Sequence, residues 1–284
     1  FGSRAHLADF MTENLDPRWQ PALAHSHYLE KLLAAHPELV PELAATWKMP
    51  LSEDLLLARL KPAPGDDNSL KIALRRLRQR AMAHIALRDL CGLAPLEEVV
   101  ESMSMLADVT TNYALDYHHR QLAAQYGEPV DKAGRPIRLM VIGMGKLGGR
   151  ELNVSSDVDY IFVYPEEGET TGPKQIDNYD FFVRLGKRLI AALGELTADG
   201  QVFRVDMRLR PSGRQGPLAT SLAHFEHYQA DEAWTWEHLA LTRARVVAGP
   251  DALARRVGTA IEAVLARAHD PEITTIPHLR ARRD

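Results

Sequence analysis

Residues 143–159 read GMGKLGGRELNVSSDVD, a glycine-rich turn followed by an Asp-x-Asp pair, and this stretch decides the predicted fold. An apolar run, IRLMVIG at residues 137–143, leads into the glycines, and a second run, VDYIFVY at residues 158–164, carries the last aspartate. Both runs have the length and the branched and aromatic side chains of buried strands. The sequence therefore predicts two strands joined by a short irregular segment that carries glycines and carboxylates.

Three aspartates in this region form a candidate metal site. Asp157 and Asp159 are two residues apart at the start of a predicted strand, so their carboxylates are expected on one face. Asp206 lies in a third predicted strand, residues 202–209 (VFRVDMRL), and completes the set if that strand lies beside the second. Neighbouring carboxylates repel one another unless a cation lies between them, and hard oxygen ligands favour Mg²⁺ or Mn²⁺. Such a site can hold two divalent ions for in-line displacement at phosphorus.

The glycines of the stretch are candidates for a phosphate-binding turn. Gly148 and Gly149 let the backbone approach a phosphate closely, and the N–H groups of such a turn attract anions. Arg208 and Arg210 alternate with Asp206, so the sequence predicts that all three share one strand face, where the guanidinium groups would bind phosphate oxygens. Further donors predicted for this site are Lys146, Ser155 and Ser156.

Each of these features also has a purely structural interpretation. An Asp-x-Asp pair often lies at a solvated strand end, a glycine-rich loop is often a tight turn, and Asp206 could form a salt bridge with Arg208 or Arg210. The glycine pattern is not a Walker motif, because no Gly-Lys-Ser/Thr ends it. The acidic pair also follows the glycines too closely for a dinucleotide-binding fingerprint. The joint occurrence of these features in one order favours the functional interpretation.

The rest of the chain is predicted to be mainly helical. Residues 1–128 form a helical lead, residues 129–250 the strand-bearing domain and residues 251–284 a helical tail. Helices are predicted at residues 70–80, 82–90, 96–126, 180–193, 221–228, 233–247 and 253–268, and a loop at residues 61–68. This order of elements indicates an α+β or α/β core behind a helical lead.

Some polar side chains outside this stretch are predicted to be structural. The basic run at residues 75–80 is interpreted as a solvated helix face. His118 and His119 are interpreted as a half-buried polar pair rather than metal ligands. Cys91, in a helical context, is predicted to be a small buried side chain.

An aromatic patch and two arginines near residue 240 have open roles. Trp234, Trp236 and His238 are predicted to pack beneath the site, with substrate contact as the alternative. Arg243 and Arg245 either reach phosphates or support packing, and the sequence does not choose between these roles.

Composition narrows the functional classes. The 284 residues carry a net charge of −4, which provides no global basic field for binding nucleic acid. The single cysteine excludes an internal disulfide and a cysteine zinc site, and it fits a reducing cytoplasm. No apolar run approaches the roughly 20 residues of a membrane span, and no signal peptide is visible. The chain begins FGS without Met and is interpreted as a fragment of a longer polypeptide.

Three stretches resemble the glutamine synthetase adenylyltransferase family: VIGMGKLGGRELNVSSDVDYIFVYPE (141–166), VFRVDMRLRPSGRQGPLATS (202–221) and EAWTWEHLALTRARVVAG (232–249). The resemblance covers most of residues 25–268. It implies an α+β fold with three parts: a mainly helical N-terminal lead, a nucleotidyltransferase domain of the DNA polymerase β type with a small mixed sheet, and C-terminal helices.

The resemblance also implies roles for individual residues. Asp157, Asp159 and Asp206 would be the catalytic carboxylates that hold Mg²⁺ or Mn²⁺, and Gly148 and Gly149 would form the phosphate turn. The partners it implies are glutamine synthetase, ATP or ADP, phosphate and a PII-type nitrogen-signalling protein, with no nucleic acid and no membrane.

Family members carry two such domains, so the resemblance leaves the direction of the reaction to be decided. One half removes AMP from a tyrosine of glutamine synthetase by phosphorolysis, which releases ADP, and the other attaches AMP from ATP. The glycine and Asp-x-Asp stretch and the lead YALDYHH (113–119) are similar to the removing half, whereas EAWTWEHLALTRARVV (232–247) is similar to the transferring half. Removal is the preferred interpretation and transfer the alternative. A catalytically idle nucleotide-binding regulatory module is the second alternative.

Overall fold

A computed structural model describes residues 16–268, which divide into two compact units. The first unit comprises residues 16–110, 150–156 and 192–202, and the second comprises residues 111–149, 157–191 and 203–268. Each unit is thus assembled from separated stretches of the chain, whereas the sequence suggests consecutive segments. The loop segment at residues 150–156 belongs to the first unit, and the three candidate aspartates belong to the second.

The first unit is helical and packs around two tryptophans. Its helices are α1 (Trp19–His25), α2 (His27–Ala35), α3 (Leu39–Thr46), α4 (Glu53–Ala58), α5 (Asp67–Leu90) and the first half of α6 (Leu96–Tyr126). Trp19 and Trp47 meet edge to face with ring centroids 5.8 Å apart, and both are buried. A capping box between Asp66 and Ser69 begins α5. The two helices predicted at 70–80 and 82–90 are therefore parts of one helix, while the prediction for α6 is confirmed.

The second unit contains a five-stranded mixed sheet. The strands are β1 (Met140–Gly143), β2 (Val158–Tyr164), β3 (Val205–Asp206), β4 (Ala219–Ser221) and β5 (Arg245–Ala248). β1 lies between β5 and β2 and is antiparallel to both. β3 and β4 are parallel to β2 and follow one another along the edge opposite β1. This arrangement confirms the predicted α+β class with a small mixed sheet.

Helices cover the sheet of the second unit. They are the second half of α6, α7 (Gly145–Gly148), α8 (Asn178–Gly194, whose last turn belongs to the first unit), α9 (Leu222–Asp231), α10 (Thr235–Leu241) and α11 (Asp251–Ala268). Alternate residues of β1 and β2 pack against α9 and α11 through Met140, Ile142, Ile161, Val163, Leu222, Phe225 and Val257. These contacts bury one face of the sheet. Because β2 is packed in this way, the position of its first residues, which carry Asp159, is fixed by the fold.

Two predicted elements are wrong in extent. The helix expected over residues 233–247 stops at Leu241, and residues 245–248 form β5 instead, because Val246 pairs with Ile142 of β1. The strand expected over residues 202–209 is limited to β3, since the chain turns immediately after Asp206. β4 has no counterpart in the prediction.

The sequence predicts that the basic run of α5 is a solvated helix face, and this prediction is wrong for Arg75. Arg75 is only 1% exposed. Its guanidinium donates to the carbonyl oxygens of Ala192 at 3.0 Å and Gly200 at 2.8 Å, and also to that of Glu195. These carbonyls lie at and just after the end of α8, where a helix leaves its last carbonyls without helical partners. Arg75 is therefore a structural residue of the first unit.

Within residues 16–268, none of the helices combines the length and apolar character needed to span a bilayer.

Candidate active site

The register of β2 and β3 places two of the three candidate carboxylates side by side. Asp159 is paired with Asp206, and Val158 with Val205, in the parallel ladder. Register neighbours point to the same face of a sheet, and Asp157 lies immediately before β2, two residues from Asp159. The predicted condition, that the third strand lies beside the second, is met.

Asp159 has the electrostatic character expected of a carboxylate crowded by its neighbours. Burial and the like charges of Asp206 and Asp157 raise its pKa to about 6, against the opposing effect of Arg208. Neighbouring like charges of this kind disfavour the ionised form of a carboxylate. A positive charge placed among them would relieve this repulsion.

Two exposed arginines flank the set. Arg204 donates from Nε to Asp157 Oδ1 at 2.6 Å. Arg208 donates from Nε and Nη2 to Asp206 Oδ2 at 2.6 and 2.5 Å, and its backbone N–H donates to Oδ1 at 2.8 Å. These bonds lower the pKa of Asp206. The salt bridge that the sequence left open as an alternative for Asp206 is thus present.

Arg204 is a site residue that the sequence reasoning missed. Residues 204–208 read RVDMR, so Arg204 alternates with Asp206 and Arg208. This alternation is the pattern from which Arg204 could have been identified as a site residue.

The three carboxylates have the donor chemistry of a divalent-cation site but not its arrangement. Among residues 16–268, no three His, Cys, Asp or Glu side chains are arranged to hold a metal ion as they stand. Asp157 and Asp206 direct oxygens to guanidinium groups instead. The chemistry of the set still fits Mg²⁺ or Mn²⁺, because these ions prefer hard carboxylate oxygens. The raised pKa of Asp159 reflects the repulsion between these carboxylates. The metal site therefore stays a prediction.

The glycine turn lies directly against Asp159. The Met144 N–H donates to the Asp159 carbonyl oxygen at 2.9 Å. Gly145 has a φ of +56°, and a Cβ built on it would lie 3.4 Å from Asp159 Oδ2. Positive φ is unfavourable for residues other than glycine. Glycine is therefore favoured at this position by its backbone conformation, while the distance to the carboxylate is an ordinary van der Waals contact.

Gly148 and Gly149 have a packing role in addition to the predicted phosphate role. A Cβ on Gly148 would lie 1.7 Å from the carbonyl oxygen of Arg243, and one on Gly149 would lie 2.3 Å from Arg243 Nη2. Arg243 Nε also donates to the Gly145 carbonyl at 3.3 Å, and Arg245 Nη2 to the Leu147 carbonyl at 3.1 Å. Both arginines thus hold the glycine turn against the segment that leads into β5.

The other predicted phosphate ligands, Lys146, Ser156 and Arg208, differ in their exposure and in their hydrogen-bond partners. Lys146 is exposed on α7. The Ser156 hydroxyl donates to Asn153 Oδ1 at 2.8 Å within the first unit. Arg208 flanks the carboxylates, as described above.

The prediction that Arg208 and Arg210 share a strand face with Asp206 is wrong, because β3 ends at Asp206 and both arginines follow it. Arg210 is the more distant of the two along the chain. Its guanidinium donates to the carbonyl oxygens of Met207 at 2.7 Å, Arg214 at 3.1 Å and Gly216 at 3.3 Å. Arg210 therefore holds the loop that follows β3.

The predicted histidine pair and Cys91 also differ from expectation. His118 and His119 are each 2% exposed, so both are fully rather than half buried. His119 Nε2 lies 2.9 Å from Glu128 Oε2, and its ring meets Phe181 edge to face. Cys91 is half-buried, and its Sγ lies 3.4 Å from the carbonyl oxygen of Arg18.

The aromatic patch is only partly packed. Trp234 is half-buried, whereas Trp236 is 53% exposed and cannot be a core residue. His238 Nε2 lies 2.9 Å from the Gln229 carbonyl oxygen.

Comparison with known proteins supports the resemblance. A family model described as glutamate-ammonia ligase adenylyltransferase matches residues 18–259. The chain is 46% identical over 228 residues to a protein of Aromatoleum aromaticum, 47% over 233 residues to one of Nitrosomonas europaea and 48% over 235 residues to one of Chromobacterium violaceum. All three relatives are named bifunctional glutamine synthetase adenylyltransferase/adenylyl-removing enzyme.

The matches cover much of this chain and a small part of each relative. They include 80%, 80% and 82% of the chain, but only 24%, 25% and 26% of the respective relatives. The chain therefore spans about a quarter of the length of these proteins.

Proposed function

The chain belongs to the glutamate-ammonia ligase adenylyltransferase family, and we propose that it is a metal-dependent nucleotidyltransferase that removes AMP from a tyrosine of glutamine synthetase. The acceptor of the AMP is inorganic phosphate and the product is ADP. The observation that carries this proposal is the pairing of Asp159 with Asp206 beside a glycine turn, with the pKa of Asp159 raised by its acidic neighbours. Carboxylates crowded in this way are typical of functional sites.

The proposed reaction is a displacement at phosphorus. An oxygen of inorganic phosphate attacks the phosphorus of the adenylyl group, and the bond from that phosphorus to the tyrosine oxygen breaks. The phenolate leaves and takes up a proton, and the attacking oxygen becomes the new bridge between the two phosphorus atoms of ADP. Negative charge is spread over the phosphoryl oxygens in such a transition state, so groups that bring positive charge to this point accelerate the reaction.

The residues of the second unit supply this environment in different ways. Asp157, Asp159 and Asp206 would hold Mg²⁺ or Mn²⁺, which when bound would neutralise phosphoryl charge as a Lewis acid. Arg204 and Arg208 are exposed beside the carboxylates, where their guanidinium groups can bind phosphate oxygens. The other proposed phosphate contacts in the second unit are Lys146, Gly148, Gly149 and, less directly, Arg210, while Ser156, which belongs to the first unit, stays a prediction.

The proposed setting is nitrogen regulation in the cytoplasm. Glutamine synthetase is the protein substrate, and ATP or ADP and phosphate are the small-molecule partners. A PII-type nitrogen-signalling protein is the proposed regulator. The names of the relatives support glutamine synthetase among these partners.

Transfer of AMP from ATP to the same tyrosine is the second candidate. The similarity of EAWTWEHLALTRARVV (232–247) to the transferring half favours it. The same carboxylates would serve either direction, because both reactions displace a group at the α-phosphorus.

The direction is tested by two incubations of the 284-residue chain. Glutamine synthetase carrying radiolabelled AMP is given phosphate and Mg²⁺, and unmodified glutamine synthetase is given labelled ATP. Release of labelled ADP in the first incubation supports removal, and labelled protein in the second supports transfer. Stabilisation by nucleotides against thermal unfolding without turnover in either incubation would favour the idle regulatory module.

The site is tested with one variant and one matched control. Asp159→Asn retains the size of the side chain and removes its charge. It is expected to lower turnover by about 10²–10³-fold, the usual cost of losing one group that stabilises developing charge. Glu262→Gln removes an exposed carboxylate from α11 and is expected to retain activity. Unchanged turnover in Asp159→Asn would remove the carboxylates from the proposed mechanism.

A further inference from the structure

Arg243 fills the space that the two glycines of the turn leave open. Its carbonyl oxygen would lie 1.7 Å from a Cβ on Gly148, and its Nη2 would lie 2.3 Å from a Cβ on Gly149. Its Nε donates to the Gly145 carbonyl oxygen at 3.3 Å. The backbone and the guanidinium group of one residue therefore occupy the positions that two side chains of the turn would take.

The backbone N–H groups of the glycine pair are already used within the turn. The Gly148 N–H donates to the Met144 carbonyl oxygen at 3.1 Å, and the Gly149 N–H donates to the Gly145 carbonyl oxygen at 3.0 Å. Each N–H group is a single donor, so these two have little capacity left for a phosphate oxygen. The glycine pair thus contributes space to the turn, and that space holds the guanidinium group of Arg243.

A guanidinium group on the glycine turn has the chemistry of a phosphate ligand. It carries five N–H donors in a planar fork, and the bond to Gly145 uses the one on Nε. The edge formed by Nη1 and Nη2 matches two phosphate oxygens at once. Arg243 is exposed, so its side chain is accessible to a ligand from solvent.

Gly145 relates Arg243 to the candidate carboxylates. Its carbonyl oxygen accepts from Arg243 Nε, and a Cβ built on it would lie 3.4 Å from Asp159 Oδ2. Arg243 is therefore beside a residue that neighbours a carboxylate, whereas Arg204 and Arg208 bond to carboxylates directly. This position favours contact with a phosphate next to the reacting phosphorus over contact with the reacting phosphorus itself.

We propose that Arg243 is a catalytic residue that binds this second phosphate, which is the attacking inorganic phosphate before the reaction and the β-phosphate of ADP after it. The inference rests on the proposed function, which brings the adenylyl phosphorus to the carboxylates. A guanidinium fork that holds two phosphate oxygens orients the third toward the phosphorus that it attacks. In the transfer direction the β-phosphate of ATP would make the same contact.

Arg245 holds the same turn and provides a matched control. Its Nη2 donates to the Leu147 carbonyl oxygen at 3.1 Å. Unlike Arg243 it is half-buried and lies in β5, where it is paired with Gly143 of β1. Loss of either arginine removes a hydrogen bond to the glycine turn, but only the loss of Arg243 is expected to affect a bound phosphate.

The test compares two nucleotides that differ by one phosphate. Binding of ADP and of AMP to the 284-residue chain is measured by calorimetry in Mg²⁺ for wild type, Arg243→Met, Arg243→Lys and Arg245→Met. Methionine retains an unbranched side chain and removes the guanidinium group. Thermal unfolding of each protein reports on the structural role of the arginine, and the KM for inorganic phosphate is measured in the removal reaction.

Arg243→Met is expected to raise the Kd for ADP about 10- to 100-fold, the usual effect of losing a charged hydrogen-bond donor, and to leave the Kd for AMP within about twofold of wild type. The KM for phosphate should rise with a smaller change in kcat. Arg243→Lys should recover part of the ADP affinity, because an ammonium group retains the charge but not the planar fork. Arg245→Met should bind both nucleotides as wild type does.

Three results would leave Arg243 with a structural role only and overturn the inference. They are normal ADP binding by Arg243→Met, an equal loss of AMP and ADP affinity in that variant, and the same loss of ADP affinity in Arg245→Met. The inference is also overturned if the wild type binds ADP no more tightly than AMP. Binding of ADP that depends on Arg243, without turnover of glutamine synthetase in either direction, would instead refute the proposed function alone.

Discussion

Replacement of Gly148 by alanine tests whether the glycine turn is held by its contact with Arg243. The added Cβ would lie 1.7 Å from the Arg243 carbonyl oxygen, whereas such contacts essentially never fall below 3.0 Å. The carbonyl would have to retreat by about 1.3 Å. This oxygen belongs to the backbone, so it cannot rotate away as a side chain could.

The size of the expected destabilisation follows from the packing and the hydrogen bonds that this movement of the carbonyl would disrupt. Overpacking of this kind costs about 1–3 kcal/mol. The hydrogen bonds from Arg243 to Gly145 and from Arg245 to Leu147 would weaken as well, each adding up to about 1 kcal/mol because both are partly exposed. The free energy of unfolding should therefore fall by about 2–4 kcal/mol, which corresponds to a decrease in Tm of about 5–12 °C.

The assay is thermal unfolding followed by circular dichroism, with Gly258→Ala as the matched control. Gly258 lies within α11, and a Cβ there meets nothing within 4 Å. The same substitution should stabilise the protein at that position by about 0.5–1 kcal/mol, because alanine favours helix. If Gly148→Ala melts within about 1 °C of wild type, the close approach of Arg243 is not a constraint and the reasoning is refuted.

Three further predictions concern charge. The pKa of Asp159 is raised from 3.8 to about 6, so the stability contributed by its protonation is present below about pH 4 and lost as pH rises through 6. At pH 7 in EDTA the free energy of unfolding of Asp159→Asn should exceed that of wild type by about 1–3 kcal/mol, and a gain that does not shrink toward pH 4 would contradict this. Arg75→Met should lose about 3 kcal/mol in urea unfolding, since three carbonyls lose their donor, whereas the exposed Arg76→Met should lie within about 0.5 kcal/mol of wild type. Mg²⁺ at about 100 times its Kd should stabilise the wild type by about 2.7 kcal/mol, an effect that Asp159→Asn should lack and Glu262→Gln should retain.

The parts of the fold that local pattern determines were predicted well from the sequence. β2 has the predicted bounds, residues 158–164, because its side chains are buried on both faces and form a continuous apolar run. The sequence placed Asp159 and Asp206 in separate predicted strands and left the adjacency of those strands as a condition, which the pairing of the two aspartates meets. Periodicity likewise placed α6 correctly.

The errors arise where distant parts of the chain decide the structure. Val246 and Val247 continue a helical spacing of apolar residues, yet they form a strand because β1 offers an unpaired edge about 100 residues earlier in the chain. Arg75 lies in a run of arginines that looks solvated, but its acceptors lie at the end of α8, more than 100 residues later. In both cases the interacting residues are more than 100 positions away in the sequence, so the local pattern could not predict the contact.

The shortness of β3 has a consequence for the adaptability of the site. β3 is joined to β2 over two residue pairs, with one further bond from the Val158 N–H to the Arg204 carbonyl oxygen at 3.0 Å. Local opening of so small a ladder requires far less free energy than global unfolding, so amide hydrogens there should exchange with solvent sooner than those of β1. Asp206 is consequently the carboxylate that can be repositioned by fraying of its strand while Asp157 and Asp159 stay in register with the rest of the sheet.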